Sequence, residues 1–165
     1  SPINLYGSLK VAQERLIQAN CRNVGSNYII LRPMCVFGNY DLGDRLVPKF
    51  ITQAIKNQEI FYATDTVTNI TYIDDMVQAM KLAIESDVVD ETFNVSSGVM
   101  TDVKSLATDI KKYYDSVSSL VPVNREKYFP TRGYFKIDKA KKLLGYKPQY
   151  DLIKALKEIN ADTIH

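Results

Sequence analysis

Two apolar patterns alternate along this chain, and their alternation constrains the fold more than any other feature. Short continuous apolar runs, such as "YIIL" in "NYIILRP" (27–33), fit buried strands. Longer stretches repeat their apolar residues every three or four positions, as amphipathic helices do. The spacing predicts helices over 4–19, 45–57, 74–86, 101–117, 138–148 and 151–161. It predicts strands over 27–33, 59–63, 69–73, 91–95 and 120–124. Punctuation agrees with this reading. Pro33 ends the first strand, Pro48 suits the first turn of its helix, and Gly145 with Pro148 stops another. Thr101 can cap the helix that follows it, and Met76, Val77, Met80 and Ile84 form the expected inward stripe of 74–86. Strands alternating with helices point to an α/β fold. No repeat, low-complexity run or linker divides the chain.

Composition removes several classes of function. A net charge of +2 gives no field strong enough to gather nucleic acid or an anionic membrane. The apolar runs are far too short to span a bilayer, and no leader pattern opens the sequence. Cys21 and Cys35 have neither metal-site spacing nor the number for a disulfide framework, so a reducing cytoplasm is the expected compartment. The only histidine is His165, the last residue, which disfavours a His-based triad or a His zinc site. No metal is expected. Acid–base chemistry then falls to Tyr, Lys, Asp or Glu.

The stretch "LYGSLKVAQE" places Tyr6 four residues before Lys10, one turn apart on a single helix face. An ammonium there favours the ionised form of the tyrosine, which can then exchange a proton with a carbinol or carbonyl oxygen. The spacing alone is not selective, because Tyr150 stands four before Lys154 as well.

The surroundings of Tyr6 are more distinctive. The order "YGSLKVAQE … NYIILRPMCVFGNYDLGDRLVPKFI … TNITYIDDMVQAM … ETFNVSSG … IDKAKKLLGYKP" resembles the extended short-chain dehydrogenase/reductases, in their nucleotide-sugar epimerase and dehydratase branch. The resemblance runs over nearly the whole chain but covers only the C-terminal half of such an enzyme. The family's G-x-x-G-x-x-G phosphate loop is not in these residues, nor is the upstream Ser/Thr partner of the tyrosine.

The resemblance implies the C-terminal part of a Rossmann-type doubly wound sheet plus a smaller mixed α/β substrate-binding domain. Residues 1–38 would end the dinucleotide-binding domain, and 39–165 would be mainly substrate-binding, with a possible return to the Rossmann sheet near 69–95. It implies NAD (or NADP) as cofactor, a nucleotide-sugar substrate and a homodimer of the full-length protein. Tyr6 would be the acid/base and Lys10 would hold the nicotinamide ribose, with Pro33 and Met34 lining the nicotinamide. Cys35, Val47, Tyr62, Thr68 and either Arg125 or Arg132 would face the substrate, Val47 and Tyr62 in the pocket wall.

Three positions depart from the family pattern. Cys35 stands where many members have Asn, Thr68 where many have a diphosphate-binding Arg, and "NREKYFPTRGYFKID" where many have R-P-G-E. Losing an arginine matters because its planar fork suits a diphosphate. Two alternatives follow: a non-catalytic fragment or half-protein that binds a ligand or partner, and a reductase of the same family acting on a non-nucleotide carbonyl compound. Asp74 and Asp75 are expected to serve a helix start, "SSG" (96–98) to turn from strand to helix, and Lys139, Lys141 and Lys142 to be a solvated face.

Overall fold

The computed structural model describes residues 4–41, 45–124, 133–160 and 163. The chain opens in α1 (Leu5–Val24), capped by Asn4, whose side chain accepts a hydrogen bond from the Gly7 amide at 2.8 Å. The helix runs past the expected end at 19. Nothing in "NCRNV" breaks it, and Gly25, at φ 67°, is the first residue suited to a left-handed cap. The chain then turns back into β1 (Ile29–Pro33), so the N-terminus of α1 lies toward the carboxyl end of that strand. Next come β2 (Val36–Phe37), α2 (Leu46–Ile55), β3 (Ile60–Ala63), β4 (Val67–Asn69), β5 (Thr71–Tyr72) and α3 (Ile73–Glu85). β6 (Glu91–Val95), β7 (Met100–Asp102), α4 (Val103–Tyr113), β8 (Leu120–Val123), α5 (Asp138–Leu144) and α6 (Leu152–Glu158) follow.

The strands pair in twos. β1 runs parallel to β6, with Leu31 opposite Phe93. β2 is parallel to β5, β3 is parallel to β8, and β4 is antiparallel to β7. This is a mixed α/β fold in which three of four pairings are parallel.

Two hydrophobic cores result. One joins Phe93 and Val95 of β6 to Ala79 of α3, Ala140 and Leu144 of α5, and Tyr146. Tyr146 is wholly buried, its hydroxyl donates to the Ser96 carbonyl at 3.1 Å, and burial pushes its phenol pKa up. The other core gathers α2, α4 and α6 on β2, β3 and β5, through residues such as Phe50, Ile60, Leu106 and Leu156.

Several elements differ from the sequence reading. α4 begins after Asp102, whose carboxylate accepts from the Ser105 amide at 2.9 Å, and not after Thr101. Thr101 is taken by the β4–β7 ladder, opposite Thr68. α3 also sits differently. Its inward face is Ala79, with Met76, Leu82 and Ala83, whereas Val77, Met80 and Ile84 are 55%, 48% and 81% exposed. Both faces of this helix carry apolar residues, and the alanine face is the one that permits close approach to the β1–β6 layer. Met80 and Ile84 help to line an open apolar groove of about 410 Å³ with Ile29, Leu31 and Val88. Among the described residues β1 pairs with β6 alone, so its second edge has no strand against it.

Asp75 is 1% exposed and caps nothing on its own helix. It accepts the backbone amides of Gln149 at 2.7 Å and Tyr150 at 3.1 Å, tying the approach to α6 onto α3. Asp74 accepts the Tyr150 hydroxyl at 3.1 Å.

Candidate functional site

The carboxyl ends of β1 and β6 lie side by side, and the loop beyond β1 is held there by backbone bonds. The Met34 amide donates to the Val95 carbonyl at 3.1 Å, while the Met34 carbonyl accepts the Thr71 hydroxyl at 2.5 Å. The Thr71 amide donates to the Cys35 carbonyl at 3.2 Å. Three strands thus fix "PMC", and the turn this demands puts Cys35 at φ 43° and, further on, Tyr40 at φ 63°. Left-handed backbone at residues with a β-carbon is uncommon and is concentrated where a loop is positioned for a task. Ligands of open parallel sheets bind at the carboxyl ends of strands.

Tyr6 stands in the first turn of α1 and is 71% exposed. The Lys10 ammonium lies 5.6 Å from the centroid of its ring, so the pair is assembled in one place on the helix face. Four residues join α1 to β1, and the strand ends at Pro33, with Met34 next in the chain. Pro33 is exposed there and Met34 half-buried. The second pair, Tyr150 and Lys154, has a different setting. Tyr150 precedes α6, stacks on Tyr72 with ring centroids 4.5 Å apart, and bonds to Asp74.

Three of the expected substrate-side residues fall in or against one core. Cys35 is half-buried against the α2–α4–α6 core. Val47 has no exposed surface and Tyr62 is 8% exposed, so both pack within that core, where the sequence reading put them in a pocket wall. Their apolar periodicity is the same for a core as for a lined cavity. Thr68 is 1% exposed and its hydroxyl donates to the Asn69 carbonyl at 3.3 Å. Its neighbour Asn69 is wholly buried, and its side-chain amide has no hydrogen-bond partner among the described residues. Arg125 and Arg132 lie outside the described residues.

The sequence reading overlooked a second pair beside Tyr6 and Lys10. Glu14, one further turn along α1, accepts the Arg32 Nε–H at 2.7 Å and accepts from Arg32 Nη2 as well. This contact with Arg32 holds the Glu14 carboxyl below its ordinary range. The i, i+4, i+8 repeat of Tyr6, Lys10 and Glu14 was the available signal. Among the described residues no group of His, Cys, Asp and Glu is arranged to hold a metal ion, and no helix is long and apolar enough to cross a membrane.

Comparison with known proteins adds a family context. The model of the NAD dependent epimerase/dehydratase family matches residues 1–96. An uncharacterized protein of Methanocaldococcus jannaschii is 29% identical, over 94% of this chain and 48% of its own length. The UDP-glucose 4-epimerase of Thermotoga maritima, solved with UDP-glucose, is 27% identical with a TM-score of 0.84, over 92% of this chain and 50% of that one. The UDP-glucuronic acid 4-epimerase of Bacillus cereus, solved with UDP-glucuronic acid and NAD, shares the fold at a TM-score of 0.89 and 23% identity, over 99% of this chain and 53% of that one. The chain spans about half the length of each of these three proteins.

Proposed function

The chain belongs to the NAD-dependent epimerase/dehydratase family of extended short-chain dehydrogenase/reductases, and from this premise we propose that it is the tyrosine-bearing half of an enzyme that epimerises or dehydrates a nucleotide sugar. One observation carries the reading: the Lys10 ammonium sits 5.6 Å from the Tyr6 ring centroid on one exposed helix face, on the helix that leads directly into β1. In this reading residues 1–38 complete the dinucleotide-binding sheet, the chain returns to it near 69–95, and the remainder of 39–165 serves the substrate.

The exposed hydroxyl and ammonium donors of Tyr6 and Lys10 suit the ribose and carboxamide end of a nicotinamide nucleotide. Pro33, which carries no N–H, and Met34, whose N–H is already bonded to Val95, leave an apolar shelf for a flat ring. The residues do not include a glycine-rich loop for the pyrophosphate, so a dinucleotide-binding half must supply it. NAD, when bound, supplies a two-electron acceptor that takes a hydride from a sugar carbon and returns it. Tyr6 Oη takes the proton of the hydroxyl on that carbon as the C=O forms, and gives it back when the carbinol is restored. Lys10 brings a positive charge beside the phenolate and a donor toward the ribose. Protein and cofactor end each cycle as they began.

The test has two arms. In the chain assembled with a dinucleotide-binding half, Tyr6→Phe should lower kcat by at least about 100-fold, the usual worth of one acid/base group, while NAD still binds. Unimpaired turnover would remove Tyr6 from the reaction. The 165-residue chain alone should show no micromolar NAD binding by titration calorimetry, and clear binding would mean that the cofactor site lies elsewhere.

A second reading draws on Thr68. A buried threonine cannot offer a diphosphate the fork that arginine does, which favours a carbonyl substrate without a nucleotide. A panel of nucleotide sugars and simple ketones or secondary alcohols given to the assembled enzyme separates the two.

A further inference from the structure

Among the described helices α1 alone has no buried residue. Its apolar stripe faces away from the fold, with Leu5, Leu9 and Leu16 at 76%, 55% and 69% exposed. The half-buried side chains of α1 are on the other face, and Glu14, at 19% side-chain exposure, is the charged one among them. Among the described residues, the only side-chain hydrogen bonds that leave α1 are the two between Glu14 and Arg32 of β1. Two of the three guanidinium nitrogens, Nε and Nη2, engage, one on each carboxylate oxygen. A two-point contact of this kind fixes rotation as well as distance, which a single ammonium contact does not.

The position of the pair along both elements gives it a purpose. Glu14 follows Lys10 by one turn and Tyr6 by two, so all three share one side of the helix. At a rise of about 1.5 Å per residue, Tyr6 lies roughly 12 Å up the helix axis from Glu14. Arg32 is the second-last residue of β1, and β1 advances about 3.3 Å per residue. Twelve ångströms beyond Arg32 is therefore past the carboxyl end of the strand, level with the loop at Met34 and Cys35. From this geometry we infer that Glu14 and Arg32 are positioning residues: their two-point clamp sets the rotation and height of α1, and so aims Tyr6 and Lys10 over the carboxyl end of β1. A helix turned by one residue would carry Tyr6 about 100° round the axis, off the site. The inference rests on the proposed role of Tyr6 for its consequence in turnover, but not for the clamp itself.

Hydrogen–deuterium exchange on the 165-residue chain tests the clamp directly. In Glu14→Ala and in Arg32→Ala, protection of the α1 amides should fall by about tenfold, while amides of β6 and β3 keep theirs. The charge-exchanged double variant Glu14→Arg/Arg32→Glu should recover most of the loss. Unchanged α1 protection in both single variants would overturn the inference. So would loss of protection across all strands, which would make the pair a general support of the fold.

In the chain assembled with a dinucleotide-binding half, either single variant should lower kcat about tenfold or more with little change in KM for substrate. The exchanged pair should restore it, as a merely structural loss would not. An equal rise in KM with kcat intact would count against positioning. The Tyr6→Phe protein keeps the outcomes apart. If it turns over normally while the exchange results hold, the acid/base assignment fails and the clamp stands.

Discussion

Cys35 holds φ at 43° in the loop that joins β1 to the substrate side, and a side chain with a β-carbon resists that geometry. Asparagine tolerates it better, and the resemblance noted from sequence has asparagine in this place. Cys35→Asn should therefore raise stability by about 0.5–1 kcal/mol in urea unfolding, unless the half-buried sulfur packs well enough to offset the gain. A lower midpoint would assign the position to packing. Asp75 works through the backbone of residues far along the chain. Asp75→Ala leaves the Gln149 and Tyr150 amides without their acceptor and should cost about 2–3 kcal/mol by thermal or urea unfolding. Burial raises the Asp75 pKa against the lowering effect of those two amides. A carboxyl whose folded pKa is raised adds stability as pH falls through that value, so the gap between the native and Asp75→Ala proteins should widen toward acid. Nothing in "YIDDM" distinguished this role from helix capping, because its partners are known only once α6 has folded back. The proximity of Tyr6 and Lys10 was legible for the opposite reason: it is local, four residues apart on one helix.

At the scale of elements, long periodic helices were readable and short strands were not. α2 and α3 fall within two residues of the expected spans, and α1 starts within one, because apolar period acts within one segment. β2, β4 and β7 are two or three residues long and exist only through partners elsewhere in the chain. The start of α4 was misplaced on Thr101 because the β4–β7 ladder claims that residue. The junction of β2 with α3 is similarly non-local. A β-carbon on Gly38 would meet Ile73 Cγ2 at 2.5 Å and Cβ at 3.0 Å, so Gly38→Ala should cost about 1–3 kcal/mol and move the start of α3. Unaltered stability would show that Ile73, which is 38% exposed, swings clear. α1 carries its own pH response. The Glu14 carboxyl is held below its ordinary value of 4.5, so its contribution to docking is complete above that value and disappears as pH falls through the lowered one. Nuclear magnetic resonance of the α1 amides should show them loosening at the acid end before β6 does. Simultaneous loss would put the anchorage of α1 in contacts other than this pair.

For the molecule as a whole, the sequence indicated an α/β fold, and the structure shows how much apolar surface and open strand edge the described residues carry. The second edge of β1 has no partner among the described residues, the groove beside α3 is lined by Met80 and Ile84, and α1 turns its leucines outward. Unpaired strand edges and contiguous apolar faces drive association. The 165-residue chain should self-associate in sedimentation experiments, and Ile84→Lys should reduce this while leaving stability within about 0.5 kcal/mol. A chain that stays monomeric at high concentration would show these faces to be tolerated by water. The pairings described above also set a timetable. β1 closes on β6 and β3 on β8, so no parallel strand meets its neighbour until much of the intervening chain exists. Such non-local topologies refold slowly, on the order of milliseconds to seconds. On a ribosome the wait is longer. At about 5–20 residues per second, the stretch from Pro33 to Glu91 takes roughly 3–12 seconds to make, and α1 and β1 are already out. Throughout that interval the nascent chain presents "YIIL" without β6 beside it, which makes this segment a natural client for a chaperone that binds short apolar strands co-translationally.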